Sequence, residues 1–210
     1  FSKLSGDYFV LGTVGFTMIL YSLNQNLGQL THGPLGIPGI PVPNLLGFKF
    51  DNHFSFLLLA LFVLGISYLI FHLIEKSSFG RVLKAIREDE IALRVFGYNT
   101  SRYRIIVFVI SSVFGALAGG LFAVYFTFID PNSFNLTLSI FILATVIVGG
   151  LASLEGTLIG VSLLVIIPEL LRFVGFSTDI AAQMRELTYG LILILFMLYK
   201  PKGILGTYKL

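Results

Sequence analysis

Two uncharged apolar runs constrain this chain more than any other feature. Phe54 to Ile74 spans 21 residues without Asp, Glu, Lys or Arg, and Ile105 to Ile129 spans 25. As a helix, either run crosses a hydrocarbon core about 30 Å thick. Between them lies a 30-residue block, Glu75 to Arg104, that carries seven of the fourteen Lys and Arg residues. Charge at that density does not enter lipid, so two crossings strand the block on one face of a membrane.

Composition agrees. The 210 residues are 56% hydrophobic and 12% charged, with a mean hydropathy of +0.91, whereas soluble domains carry about 25% charged residues. The sequence predicts an all-α integral membrane protein. A β-barrel requires apolar and polar residues to alternate, and Leu57 to Leu64 (LLLALFVL) shows no alternation. Cysteine is absent, which excludes disulfides and thiolate metal sites. The net charge of +3 does not point to nucleic acid, because the basic residues lie at membrane edges rather than on a soluble domain. The chain opens FSKLSGDYF, without an initiator Met or a signal-peptide pattern. It therefore reads as a fragment lacking upstream helices, with residues 1–210 as one transmembrane domain.

Six membrane segments are predicted, forming a polytopic helical bundle: Tyr8 to Leu23, Phe54 to Ile74, Ile105 to Ile129, Leu136 to Leu151, Gly156 to Leu171 and Leu187 to Tyr199. The last three are short, so tilt, breaks or re-entry are expected there. With Glu75 to Arg104 cytoplasmic, alternation leaves only Lys49, Arg172 and Arg185 outside, against eleven Lys and Arg inside. That asymmetry follows the positive-inside rule.

Small residues recur on the third segment at Ser111, Gly115, Gly119 and Ala123, and on the fifth at Gly156 and Gly160. Such stripes let helix backbones approach, either within the chain or across a dimer face. Thr31 to Leu46 holds four of the seven prolines and the glycines Gly33, Gly36 and Gly39, which precludes a regular helix. On this topology the loop is extracytoplasmic, and is either a solute-lining vestibule or a rigid connector.

Catalytic signatures are missing. His32, His53 and His72 are isolated, with no metal-ligand spacing around them. No GxSxG occurs, and the one Lys-Ser dipeptide, Lys76-Ser77, lacks the preceding glycines of a phosphate loop. The expectation is no enzyme, no cofactor and no metal. The charged block carries the stronger signal. Phe79, Val82, Leu83, Ile86, Leu93 and Phe96 lie near a common helical face interrupted by Asp89 and Glu90. Lys84 with Glu88, and Glu90 with Arg94, have four-residue spacing for pairing, and Gly97 offers a C-terminal stop. The block reads as an amphipathic helix at the cytoplasmic surface. It either lies on headgroups or docks into a partner and passes force to the attached spans.

The stretches FGRVLKAIREDEIALRVFGYNTSRYRIIVFVISSVFGALAGGLFAVYFTFIDPNSFNLTLSI, VIVGGLASLEGTLIG and LTYGLILILFMLYKPKGILG together resemble the permease subunit of branched-chain amino acid ABC importers, the LivM type. The likeness runs from about Tyr8 to Gly206. It implies a multi-pass permease of a bacterial or archaeal plasma (inner) membrane, forming the path for branched-chain or hydrophobic amino acids. The implied partners are a homologous LivH-type permease, two cytoplasmic ABC ATPase subunits and a periplasmic or extracellular solute-binding protein, with no nucleic acid. ATP hydrolysis would then belong to the separate ATPase subunits. The coupling element implied is Arg81 to Gly97, with Arg81, Lys84, Ala85, Ile86, Arg87, Glu88, Glu90 and Gly97. Broken segments at Gly149, Gly150 and Gly156, together with the loop glycines, are the expected translocation-path residues.

Two positions depart from that pattern. A GGLGS-like turn appears as Gly149-Gly150-Leu151-Ala152-Ser153, where Ala costs more than Gly if φ is positive. Glu155 is either an intramembrane carboxylate or a wetted turn residue. Glu169 and Arg172, three apart, are expected to pair structurally. Other readings stay open at this level: urea, short amides or sugars as the solute, a self-sufficient channel or secondary transporter, or an intramembrane enzyme.

Overall fold

Long uncharged runs leave the backbone one way to satisfy its polar groups in lipid, the α-helix. The computed structural model, which describes residues 7–45, 48–172, 178–200 and 203–206, is accordingly mostly helical. Its helices are α1 (Asp7–Asn26), α2 (Gly28–Thr31), α3 (His53–Lys76), α4 (Ser78–Glu88), α5 (Glu90–Val95), α6 (Thr100–Phe126), α7 (Leu136–Gly149), α8 (Leu154–Arg172) and α9 (Thr178–Tyr199). Among the described residues, three helical stretches are long and apolar enough to cross a membrane: His53–Lys76, Thr100–Phe126 and Pro131–Gly149; Leu154–Ile167 is a shorter apolar stretch. Each expected segment overlaps one of the nine described helices, although Ile105 to Ile129 runs past the end of α6. The last begins nine residues earlier than expected, because Asp179, Arg185 and Glu186 sit inside α9, where charges masked the helix from a hydropathy reading.

Helix starts follow local side-chain chemistry. Ser77, Asp89, Asn99 and Asn135 each accept a hydrogen bond from a backbone N–H in the first turn of the helix they precede. Ser153 does the same at α8, accepting from Gly156 at 3.0 Å. These bonds satisfy donors that a helix leaves orphaned.

The chain divides into two units, residues 1–133 and 134–210. In the first, α3 and α6 run antiparallel: Phe56 meets Tyr125 (ring centroids 5.0 Å apart) and Phe71 meets Phe114 (4.5 Å). The charged block therefore hangs at one end of this helix pair. The proline-rich loop sits at the other end, where β1 (Ile37–Pro38) pairs antiparallel with β4 (Phe128–Ile129) and Ile40 N–H donates to the Thr127 carbonyl. A second two-residue ladder joins β2 (Asn44–Leu45) to β3 (Phe48–Lys49). Thus the loop is irregular, as its prolines require. At this same end, Tyr21 and Gln25 of α1 both donate to Asn132 Oδ1, at 2.7 and 3.1 Å. The Asp130 carboxylate accepts from the Ser133 hydroxyl and backbone N–H, and the Ser133 hydroxyl is what chiefly holds it below the usual carboxylate range.

The second unit is a three-helix cluster. Ala144, Val148, Leu164 and Ile192 form its buried core, with Phe141, Tyr189, Phe196 and Ile204 packed around them. Glycine makes the α7–α8 hairpin possible. A Cβ on Gly149 would overlap the Gly156 carbonyl, and one on Gly160 would overlap the Thr145 carbonyl. The backbones touch directly, which is how helices gain packing energy where lipid is as apolar as their side chains. The stripe on α6 behaves otherwise, since a Cβ on Gly115, Gly119 or Gly120 meets no neighbouring atom within 4 Å. Internal packing accounts for the fifth-segment glycines but, among the described residues, not for those of α6.

Candidate functional site

The charged block is two helices rather than one rod. Asp89 has extended backbone (φ −152°, ψ 98°) and ends α4, while its carboxylate caps α5 by accepting from Ala92 N–H at 2.9 Å. A residue that hydrogen-bonds its own following backbone competes with helix continuation, which is why the apolar periodicity across Asp89 misleads. At the far end, Gly97 (φ 85°) donates to the Arg94 carbonyl and Tyr98 to the Leu93 carbonyl. This is a Schellman stop with glycine at its left-handed position.

α4 is fastened to α3. A Cβ on Gly80 would overlap the carbonyls of Ile74 and Glu75, so only glycine permits this corner. Ser77 donates to Ile74 O at 2.6 Å and caps Gly80. Lys84 pairs with Glu75 at 2.8 Å rather than with Glu88, whose partner is Arg87 at 2.9 Å. The four-residue spacing of Lys84 and Glu88 is outweighed because the α3–α4 corner brings Glu75 beside Lys84. Arg81 donates to Ser78 Oγ at 2.8 Å and to the Lys76 carbonyl at 3.3 Å. Ala85 and Ile86 are half-buried on the inner face.

α5 is fastened to α6 through Glu90. Its carboxylate accepts from Arg94 at 2.6 Å, from the Thr100 hydroxyl at 2.9 Å, and from Arg104. Thr100 is almost wholly buried (2% exposed) and in turn accepts from Arg94 Nε at 3.1 Å. Burial acts to raise the Glu90 pKa, but the hydrogen bonds from Thr100 and Arg94 and the charges of Arg104 and Arg94 outweigh it. The carboxyl therefore stays below its usual range. The Glu90–Arg94 pair was legible from spacing. Thr100, Arg104 and Glu75 were not, because their partners lie 9 to 14 residues away. On the outer face of α5, Ile91, Val95 and Phe96 are each more than three-quarters exposed. The apolar periodicity places Phe96 on a common helical face with Phe79, Val82, Leu83, Ile86 and Leu93, but the break at Asp89 leaves it exposed.

The glycines proposed to shape a path occupy two places. Gly33, Gly36 and Gly39 all have positive φ. A Cβ would overlap the Ile129 carbonyl at Gly36 and crowd that of Gln25 at Gly33, while Gly39 faces open space. Gly149, Gly150 and Gly156 lie at the α7–α8 turn. There Ile204 N–H donates to the Val148 carbonyl and Leu205 N–H to the Gly149 carbonyl, both at 3.0 Å. A strand of tail, Gly203 to Gly206, thus caps the end of α7, and Gly150 (φ 116°) and Gly203 (φ 74°) let it lie against the turn. Ala152 takes a positive φ of 62°, the strain its position in the turn predicts. Glu155 is exposed in the first turn of α8, where the helix dipole favours a carboxylate. The Glu169–Arg172 pairing lies outside the described residues, since the Arg172 side chain is not among them.

Comparison with known proteins gives consistent matches. The family model for the permease component of branched-chain amino acid transport systems matches residues 1–199. The chain is similar to the high-affinity branched-chain amino acid transport system permease protein LivM of Salmonella typhimurium, 33% identical over 226 residues, covering 97% of this chain and 52% of that protein. It is 30% identical over 215 residues to the probable LivM of Methanocaldococcus jannaschii, covering 97% of this chain and 61% of that one. It is also 33% identical over 134 residues to LivH of Escherichia coli, covering 63% of this chain and 41% of that protein. The chain spans about half the length of the first of these relatives. No solved structure matches.

Proposed function

This chain belongs to the permease-component family of branched-chain amino acid transport systems, and on that premise we propose that it is the LivM-type subunit of an ATP-driven importer in a bacterial or archaeal inner membrane. It forms part of the path for branched-chain amino acids. A homologous LivH-type permease, two cytoplasmic ABC ATPase subunits and a solute-binding protein complete the assembly. Six helices, α1, α3, α6, α7, α8 and α9, cross or enter the bilayer as one permease domain, with the charged block cytoplasmic. The lopsided distribution of Lys and Arg supports that orientation.

The observation that carries this reading is the double fastening of the charged block, α4 to α3 and α5 to α6. An ATPase that closes on the block pulls on two membrane helices at once, where a flexible loop would dissipate the motion. Arg81, Lys84, Ala85, Ile86, Arg87, Glu88, Glu90 and Gly97 form the coupling element. Ile91, Val95 and Phe96 add an exposed apolar face for the ATPase surface. Gly33, Gly36 and Gly39 in the first unit, and Gly149, Gly150 and Gly156 in the second, are the residues assigned to the path; all but Gly39, which faces open space, let backbone approach backbone.

The test is uptake of leucine, isoleucine and valine by proteoliposomes holding the complete permease pair, ATPases and binding protein. Uptake that requires ATP and the binding protein supports the importer. Flux through the permease alone, or a complex that ignores all three solutes, overturns it.

A further inference from the structure

The α4 half of the charged block is joined to α3 and, through the stack of Phe79 on Tyr103, to α6, whereas the polar link of the α5 half to α6 centres on one carboxylate. A six-residue helix has no stability of its own, because nucleation is unfavourable and few bonds repay it. α5 is held by its caps and by Glu90, which joins Arg94 within α5 to Thr100 and Arg104 in the first two turns of α6. Glu90 is only 22% exposed. Thr100 both donates to Glu90 and accepts from Arg94, so its hydroxyl ties both α5 residues to the first residue of α6.

We propose that Glu90 is the positioning residue through which displacement of α5 reaches α6, with Arg104 and Thr100 as its receiving groups; this rests on the importer reading above. α5 cannot turn about its axis without carrying the start of α6, because charge-assisted hydrogen bonds resist stretching in this half-buried place. The polar link of α4 runs to α3 instead, through Lys84–Glu75 and the Gly80 corner. Arg94 belongs to α5 itself and reaches α6 only through the Thr100 hydroxyl, whereas Arg104 is rooted in α6 and meets the Glu90 carboxylate directly, so the charge of Arg104 is the more critical to transmission. The stack of Phe79 on Tyr103 (5.3 Å) and the Gly97 turn do not involve Glu90. They keep the block folded when its charge is removed.

Two measurements test this on the complete complex in lipid. Solute taken up per ATP hydrolysed should fall about tenfold in Glu90→Gln and in Arg104→Gln, about twofold or less in Arg94→Gln, and recover partly in Glu90→Asp. Hydrogen exchange of amides 90–97 should speed up about tenfold in Glu90→Gln and Arg104→Gln, with α4 unchanged. An unchanged uptake ratio in Glu90→Gln overturns the proposal. So does an equal loss in all three Gln variants, which marks a helix-stability effect only. If the wild-type complex moves no solute while exchange responds as expected, the importer reading fails and the clasp between α5 and α6 stands. Unchanged exchange overturns the clasp whatever the transport result.

Discussion

At the scale of single residues, backbone conformation and charge make separate demands. Ala152 sits at φ 62°, a region that costs an L-residue about 1–2 kcal/mol. Ala152→Gly is expected to stabilise the chain by about 1 kcal/mol after the extra unfolded-state entropy of glycine is subtracted, read as a higher midpoint in a denaturant titration in detergent. An unchanged or lower midpoint contradicts the strain. Glu90 makes a prediction with a definite sign. Its folded pKa is depressed, so the unfolded chain binds the proton more readily. The clasp's contribution is fully present above the unfolded carboxylate value of about 4.3 and fades as pH falls below it. Exchange protection of α5 in wild type should therefore converge on that of Glu90→Gln in acid and exceed it at neutral pH. A gap that widened in acid would reverse the assignment.

At the scale of elements, ends matter more than middles. α7 finishes one turn before Ala152 with two carbonyls, Val148 and Gly149, that accept hydrogen bonds from the tail backbone. The same tail places Ile204 against the core of the second unit. Removing all residues after Lys202 strips away both contributions. It is expected to cost about 2–4 kcal/mol, seen as a lower unfolding midpoint with α3 and α6 exchange unaffected. A truncated chain as stable as the parent would show the strap to be ornamental. The apolar spans and the stop at Gly97 were legible because lipid and capping act locally. The division of the charged block at Asp89 was obscured, because hydrophobic periodicity continues across it and a carboxylate in mid-run reads as solvent-facing. The tail strap left no periodic signal at all, being a short segment that pairs through its backbone.

At the scale of the whole molecule, orientation is the testable quantity, and the absence of cysteine makes it clean to probe. Single Cys substitutions at Glu88 and at Leu35 lie at opposite ends of the α3–α6 pair. A membrane-impermeant maleimide is expected to label Leu35→Cys in intact spheroplasts and Glu88→Cys only in inverted vesicles. Labelling of Glu88→Cys from outside would place the block away from any cytoplasmic ATPase and end the coupling reading.

The sequence by itself determined that this chain is a helical membrane protein, roughly where its crossings lie, and that a charged segment is held between two of them. Those outcomes follow from solvation, which each residue feels whatever its distant neighbours do. Only the tertiary structure decided that Lys84 answers Glu75, that Glu90 reaches Thr100 and Arg104, and that Gly203 to Gly206 close the end of α7. Each joins groups far apart along the chain. Their meeting depends on how helix corners turn and how closely glycine lets backbones approach, and no local pattern of residues encodes that.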